Sequence, residues 1–167
     1  MDTPSYINPD DIVYRQGVGL MILNSQKKVL VGQRRDTGNL ITEGGSAWQM
    51  PQGGIDSNET PWEAALREMK EEIGTTNVRL IASSRDWLKY DFPEPLRSTL
   101  WGGRFFGQTQ KWFLLEFLGD DTEINIHTRH PEFISWQWIS AQELPKLIVF
   151  FKHDLYLKVL EEFKDYL

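Results

Sequence analysis

The chain changes hydrophobic period several times along its length, and each change predicts an element. Residues Val13–Leu23 and Lys28–Arg34 are apolar, β-branched runs split by the turn-like Asn24-Ser25-Gln26-Lys27, which predicts a hairpin. Residues 36–46, with Gly38, Gly44 and Gly45, read as a loop, and Trp48–Pro51 as a short extended piece. Trp62, Leu66, Met69 and Ile73 then recur at helical spacing and give one apolar stripe to bury. Thr60 and Glu63 have capping-box spacing before that stripe, Pro61 takes the favoured first position, and Gly74 supplies the stop. Val78–Lys89 and Lys111–Leu118 read as strands, with a proline-punctuated loop at Phe92-Pro93-Glu94-Pro95 between them. Phe133–Ile139 alternates with a period of two and sets Ile134, Trp136 and Trp138 on one face, the two tryptophans as core. Phe150–Phe163 predicts a long terminal helix, and residues 1–11 a loose start. Strands mixed with helices in one compact chain imply an α/β sandwich.

Composition narrows this picture. A chain of 167 residues, 40% hydrophobic, suffices for one domain with its own core, taken as residues 1–167. The absence of cysteine excludes disulfides and thiolate metal sites and fits a reducing compartment. No run approaches the roughly 20 apolar residues of a membrane span, and Met1-Asp2-Thr3-Pro4-Ser5 does not open like a secretory signal. The expectation is a cytoplasmic protein with no membrane contact. A net charge of −6 argues against general nucleic-acid affinity, DNA included. That charge is uneven, however. Residues 59–72 hold Glu59, Glu63, Glu68, Glu71 and Glu72 against Arg67 and Lys70, whereas residues 95–115 hold Arg97, Arg104 and Lys111 and no acid.

The chemistry starts from three of those acids. Glu68, Glu71 and Glu72 fall one helical turn apart and off the apolar stripe. Like charges at that spacing repel by about 0.2–0.5 kcal/mol per pair. The triplet is therefore odd as decoration, but it suits a hard divalent cation that prefers oxygen ligands. The plainer alternative is a glutamate-rich surface helix.

The residues from Gly53 to Thr75 resemble the Nudix box, Gly-x5-Glu-x7-Arg-Glu-U-x-Glu-Glu-x-Gly-U with U bulky and aliphatic. Gly53, Glu59, Arg67, Glu68, Met69, Glu71, Glu72 and Gly74 fall in register. Thr75 stands where an aliphatic residue is usual, a departure that concerns packing at the helix exit. The resemblance implies a mixed sheet between helices, an α/β/α sandwich with the box as loop–helix–loop. It also implies Mg²⁺ or Mn²⁺, more than one ion, at Glu68, Glu71 and Glu72, with Gly53 and Glu132 completing the metal site. Glu59 and Arg67 would brace the loop against the helix. The reaction implied is attack of water on a phosphorus of a nucleoside diphosphate linked to a further group.

Beyond the box, the chain carries Tyr14-Arg15-x-x-Val18-Gly19, Trp48-Gln49-x-Pro51-Gln52-Gly53-Gly54, Trp87-Leu88-x-Tyr90, Gly107-Gln108-x-Gln110-Lys111-Trp112-Phe113 and Pro131-Glu132-Phe133. This set is similar to bacterial RNA pyrophosphohydrolases and to dinucleoside polyphosphate hydrolases, which share nearly all of it. The implied substrates are 5′-triphosphorylated RNA, from which pyrophosphate is removed, or dinucleoside polyphosphates such as diadenosine tetraphosphate. No obligate protein partner is expected. Arg35 and Lys152 match basic positions that contact phosphate or the first nucleotide, and both read equally as surface charges. Tyr90 is a base-stacking or a core aromatic, and Lys111 a phosphate contact or a solvated charge. Glu132 reads as an added metal-facing acid or a solvated one. His127, His130 and His153 show no joint metal spacing. The general base stays open among Glu71, Glu72 and Glu132. The twelve residues from Asp36 to Ala47 exceed the short connection usual in RNA pyrophosphohydrolases and leave fine specificity open. Two competing readings remain: another Nudix specificity, such as a nucleotide sanitiser or nucleotide-sugar pyrophosphatase, and a non-catalytic binding module.

Overall fold

Tyr14–Leu23 (β1) is the spine of the molecule, and its alternation explains why the core has two halves. Val18, Leu20 and Ile22 face one way and Met21 and Leu23 the other, all buried. A strand apolar on both faces needs cover on both. The first set packs on the helix Pro61–Ile73 (α1), through Ala64, Ala65, Met69 and Ile73. The second packs on the terminal helix His153–Glu162 (α4), through Leu155, Tyr156 and Val159. The result is a sheet between helices, an α/β/α sandwich. The structure is a computed structural model and describes residues 14–35, 48–94, 96–99 and 104–167. The expected loose start at 1–11 and the loop at 36–46 lie outside them.

The remaining elements are β2 (Val29–Arg34), β3 (Trp48–Gln49), β4 (Gln52–Gly54), β5 (Val78–Ser83), β6 (Leu88–Asp91), α2 (Leu96–Thr99), β7 (Gly107–Phe117), β8 (Phe133–Ile139) and α3 (Leu144–Leu147). The sheet order is β3-β2-β1-β7-β5, with β4 also on β1, β6 on β7 and β8 on β2. β1 and β7 run parallel from Tyr14↔Gly107 to Leu23↔Glu116, and the other pairs are antiparallel, so the sheet is mixed.

Several elements depart from the pattern reading. The β1–β2 hairpin turn forms, with the Asn24 side chain accepting from the Gln26 and Lys28 N–H groups. Its strands pair only at Leu23↔Val29, because β4 takes β1 at Gly17–Gly19 and β8 takes β2. The single strand expected over Val78–Lys89 is broken at Ser84, whose hydroxyl accepts the Trp112 N–H at 3.0 Å and ends the β5 ladder. β7 begins four residues before the expected Lys111, because its polar opening pairs with β1 and β6. The terminal helix starts at His153 after a 3₁₀ turn over Phe150–Lys152. In β8 the most buried residues are Phe133 and Ile139, while Trp136 and Trp138 are half-buried and Ile134 is exposed. Phe133 is buried because it fills the space over Gly32, which lacks a side chain.

Gly19 tests the closest packing in the sheet. A Cβ there would sit 2.2 Å from Cε2 of Trp112, a ring that is fully buried and has nowhere to retreat. Gly19→Ala should cost about 1–3 kcal/mol by overpacking, read as a lower midpoint in urea unfolding. An unchanged midpoint would mean that the indole can move.

Candidate active site: a cleft lined by acids and bases

The loop–helix that carries the acids is held by local interactions. Thr60 Oγ1 accepts the Glu63 N–H and Glu63 returns the bond to the Thr60 N–H, closing the capping box ahead of Pro61. Gly74 ends the helix at φ 76°, a left-handed conformation that favours glycine, with its N–H on the Lys70 carbonyl. Arg67 then joins the helix to what precedes it. Its guanidinium donates to Glu59 at 2.6 and 2.9 Å, to Glu68 at 2.8 Å, to the Gly54 carbonyl at 2.8 Å and to Glu71 at 3.3 Å. The hydrogen bond from Arg67 holds the Glu59 carboxyl below its ordinary range, and the same bond pushes the guanidinium value up.

Beside this brace opens a cleft of about 490 Å³. Glu68, Glu72 and Glu132 line it, as do Arg15, Arg34 and Lys152, with Gln52, Gln108 and Tyr90 among them. Gly53 is fitted to the acidic side, since a Cβ there would lie 2.0 Å from the Glu68 carboxyl carbon. Burial pushes the Glu68 carboxyl up to about 7 against the pull of Arg67, and neighbouring Glu71 and Glu132 add to the rise. Glu72 is pushed well above the ordinary range, first by burial and then by Glu68 and Glu132, although it accepts the Gln52 N–H at 3.2 Å. In the same cleft Lys152 is 2% exposed. Burial, and then Arg34, bring its ammonium down to about 7, partly opposed by Glu72. Its Nζ lies 5.0 Å from the centre of the Tyr90 ring and 3.5 Å from Gln49 Oε1.

The three carboxylates suit a hard cation in donor type, and a cation among them would offset the charge that Glu132 sets against Glu68 and that both set against Glu72. They do not form a closed cage: among the described residues no three acidic or histidine side chains are grouped tightly enough to hold an ion as they stand. Glu68, Glu72 and Glu132 would hold a divalent ion from one side and leave its other positions to water and substrate.

The structure rearranges the expected site residues. Glu68, Glu72, Glu132, Gly53, Tyr90 and Lys152 meet in the cleft. Glu72 was expected on an exposed face but is 3% exposed, because β4 lies over it through the Gln52 contact. Glu71 is outside the lining and half exposed, on Arg67. Arg35 also lies outside, with its Nε on the Pro131 carbonyl and its N–H on the carbonyl of Glu132; Arg34 lines the cleft in its place, next to the β2–β8 register shift. Lys111 sits opposite Val18 on β7, whose alternation turns Gln108 and Gln110 the other way. Tyr90 is buried, with Phe92, Phe151 and Lys152 already against its ring. Sequence reading missed Arg15, Arg34, Gln52 and Gln108 as lining residues. Arg15, Gln52 and Gln108 stand inside quoted motifs, but nothing local distinguishes them from framework residues.

Residues 13–159 match the NUDIX domain family. The chain is 52% identical over 149 residues to the RNA pyrophosphohydrolase of Rhodospirillum rubrum, covering 89% of this chain and 86% of that one. It is 50% identical over 155 residues to the RNA pyrophosphohydrolase of Rickettsia typhi, covering 93% and 92%. The solved structure of the E. coli dihydroneopterin triphosphate pyrophosphohydrolase shares the fold, with a TM-score of 0.64 at 22% identity over 88% of this chain and 96% of that one. Matched over nearly its whole length, with the box residues in register along α1, the chain belongs to the Nudix family.

Proposed function

We propose that this chain, acting as a single domain, hydrolyses phosphoanhydrides and removes pyrophosphate from the 5′-triphosphate end of RNA. The observation that carries the reading is the convergence of Glu68, Glu72 and Glu132 with Arg15, Arg34 and Lys152 on one cleft. A polyphosphate accompanied by divalent cations carries both signs of charge and is complementary to such a lining. About half of all aligned positions are identical to the two RNA pyrophosphohydrolases, over most of each chain, which supports RNA over a free nucleotide. A substrate of that kind suits a cytoplasmic enzyme, and among the described residues no helix is long and apolar enough to cross a membrane.

Nudix hydrolases generally need divalent metal ions, and we assign Mg²⁺ or Mn²⁺. Such an ion neutralises phosphate charge and lowers the pKa of a bound water. The chain supplies the rest. Glu68, Glu72 and Glu132 provide the oxygen ligands, and Arg15, Arg34 and Lys152 take the phosphate charge. Arg67 fixes Glu68 at 2.8 Å, so this carboxylate is positioned before the substrate arrives. Polyphosphate hydrolysis depends mainly on positioning and charge stabilisation.

The first test compares turnover of 5′-triphosphorylated RNA and diadenosine tetraphosphate in Mg²⁺. Higher kcat/KM on RNA is expected, with activity lost in EDTA and restored by Mg²⁺ or Mn²⁺. Preference for the dinucleotide would move the chain to the other activity, and indifference to chelation would refute the metal assignment.

Glu72→Gln should lower kcat by at least about 100-fold, given the scale at which positioned catalytic groups act. Because a buried carboxylate is replaced by a neutral amide of the same shape, the metal-free variant should melt above the native chain. Wild-type turnover in saturating Mg²⁺ would remove Glu72 from the site.

Lys152 gives a pH signature. Its folded value of about 7 lies below the ordinary 10.5, so the folded state gives up its proton first and stability rises with pH between those two values. The cost of charging the buried amine is fully present below that window and gone above it. Urea midpoints should therefore climb with pH across the window in the native chain more steeply than in Lys152→Met. Equal slopes would mean that the ammonium is solvated in the folded state.

A further inference from the structure

The proposed chemistry leaves one quoted motif without a role, Gln108-x-Gln110-x-Trp112. On β7 these three residues share the face turned towards α4, and their polar atoms form a chain behind the cleft. The Trp112 indole N–H donates to Gln110 Oε1 at 3.0 Å. Gln110 Nε2 donates to Gln52 Oε1 at 3.0 Å and to Gln108 Oε1 at 2.9 Å. Trp112 and Gln110 are fully buried and Gln108 is 4% exposed. The neighbouring strand makes room for them. Gly17 and Gly19 stand where a Cβ would meet the Gln108 carboxamide at 2.8 Å and the Trp112 ring at 2.2 Å.

The direction of this chain is dictated by its first member. An indole N–H can only donate, so the amide oxygen of Gln110 must face it. The amide nitrogen of Gln110 must then face the other way, and both its hydrogens are used on the oxygens of Gln52 and Gln108. With those oxygens turned to Gln110, the NH₂ group of each of these two glutamines is turned away from it. Gln52 and Gln108 line the cleft, whereas Gln110 and Trp112 stand behind it. Reversing Gln110 would leave the buried indole N–H unpaired, and reversing Gln52 or Gln108 would set NH₂ against NH₂, which folded proteins avoid.

We infer that Trp112 and Gln110 form a polarity relay that fixes Gln52 and Gln108 as hydrogen-bond donors to polyphosphate oxygens, with Gln110 as a positioning residue that never touches the substrate. The inference rests on the reading of the cleft as a polyphosphate site but not on RNA as its occupant. A phosphate oxygen accepts and cannot donate, so a glutamine showing its carbonyl would repel what the same glutamine showing its NH₂ attracts. Bonds within such a chain also polarise one another.

The test measures binding of adenosine 5′-(α,β-methylene)triphosphate in Mg²⁺ by calorimetry, using the full chain and two variants. Gln110→Met keeps the volume and removes the relay. Trp112→Phe keeps an aromatic ring in the core and removes the donor that sets the direction together with part of the ring. Each variant, folded by thermal melt, should bind about tenfold more weakly or worse, the size of one lost charge-assisted hydrogen bond. The double variant should be within about twofold of the weaker single one, because both break the same chain. In the native protein the Trp112 indole ¹H–¹⁵N resonance, assigned through Trp112→Phe, should move on adding the analogue although the indole lies behind Gln110. If Gln110→Met fails to fold, Trp112→Phe decides alone. Native affinity in the folded variants, additive losses in the double variant, an unmoved indole resonance, or no measurable binding by the native chain would overturn the relay. RNA turnover is read separately: a chain that loses analogue affinity in both variants but does not process RNA keeps the relay and loses the substrate assignment.

Discussion

Everything in the site depends on the fork of Arg67. Its planar guanidinium offers five donors in fixed directions, and the chain supplies acceptors from three places. Glu59 comes from the loop, Gly54 from the end of β4, and Glu68 and Glu71 from α1 itself. Magnitudes decide why this arrangement holds. Acids one turn apart repel by about 0.2–0.5 kcal/mol per pair. Charge-assisted hydrogen bonds are worth about 1.5–3 kcal/mol where they are shielded from water. The Arg67–Glu59 and Arg67–Glu68 contacts are largely shielded, the Glu71 contact is not, and the first two suffice to outweigh the repulsion. A helix that would spread its glutamates in isolation therefore presents Glu68 in a fixed place.

The second constraint is the need for close approach at the centre of the sheet. β1 lies between β7 on one side and β4 on the other, and it meets both at Gly17 and Gly19. Side chains at these positions would fill the space that Gln108 and Trp112 occupy. Because they are absent, a row of amides reaches the floor of the cleft with every buried polar atom paired: among the described residues no buried side-chain nitrogen or oxygen lacks a partner. The polar floor and the acidic helix then meet at Gln52, whose backbone N–H binds Glu72 and whose side chain binds Gln110.

What was legible in the sequence follows from the range of the interactions. The loop–helix could be read because the capping box, the proline and the left-handed glycine act within a turn of their own positions. A strand at β1 and the mixture of strands and helices were legible from pattern, whereas the α/β/α layering came from the family resemblance and the burial of β1 on both faces was not read at all. The orientation of α1 was only partly so. Its buried residues are Ala64, Ala65, Met69, Glu72 and Ile73, a face rotated from the Trp62–Leu66–Met69–Ile73 stripe towards Glu72. Only β4, brought there by pairing with β1, makes that acid an interior residue. The exchange of Arg35 for Arg34 was illegible for a similar reason, since the register shift near Gln33 and Arg34 turns on the pairing with β8. Where a side chain's position was set by a partner distant in sequence, pattern gave the residue type and not its direction.

The same long-range assembly gives the cleft an unusual economy of charge. Burial pushes Glu68 and Glu72 towards the neutral acid and Lys152 towards the neutral amine. Neither Glu68 nor Glu72 is ion-paired with Lys152, whose Nζ is met by the Tyr90 ring and Gln49 Oε1 instead. Burying these groups without a full partner is a cost to the folded state. A phosphate chain with its cations brings both signs of charge to a lining that holds both, and attack on the anhydride depends on that charge being matched.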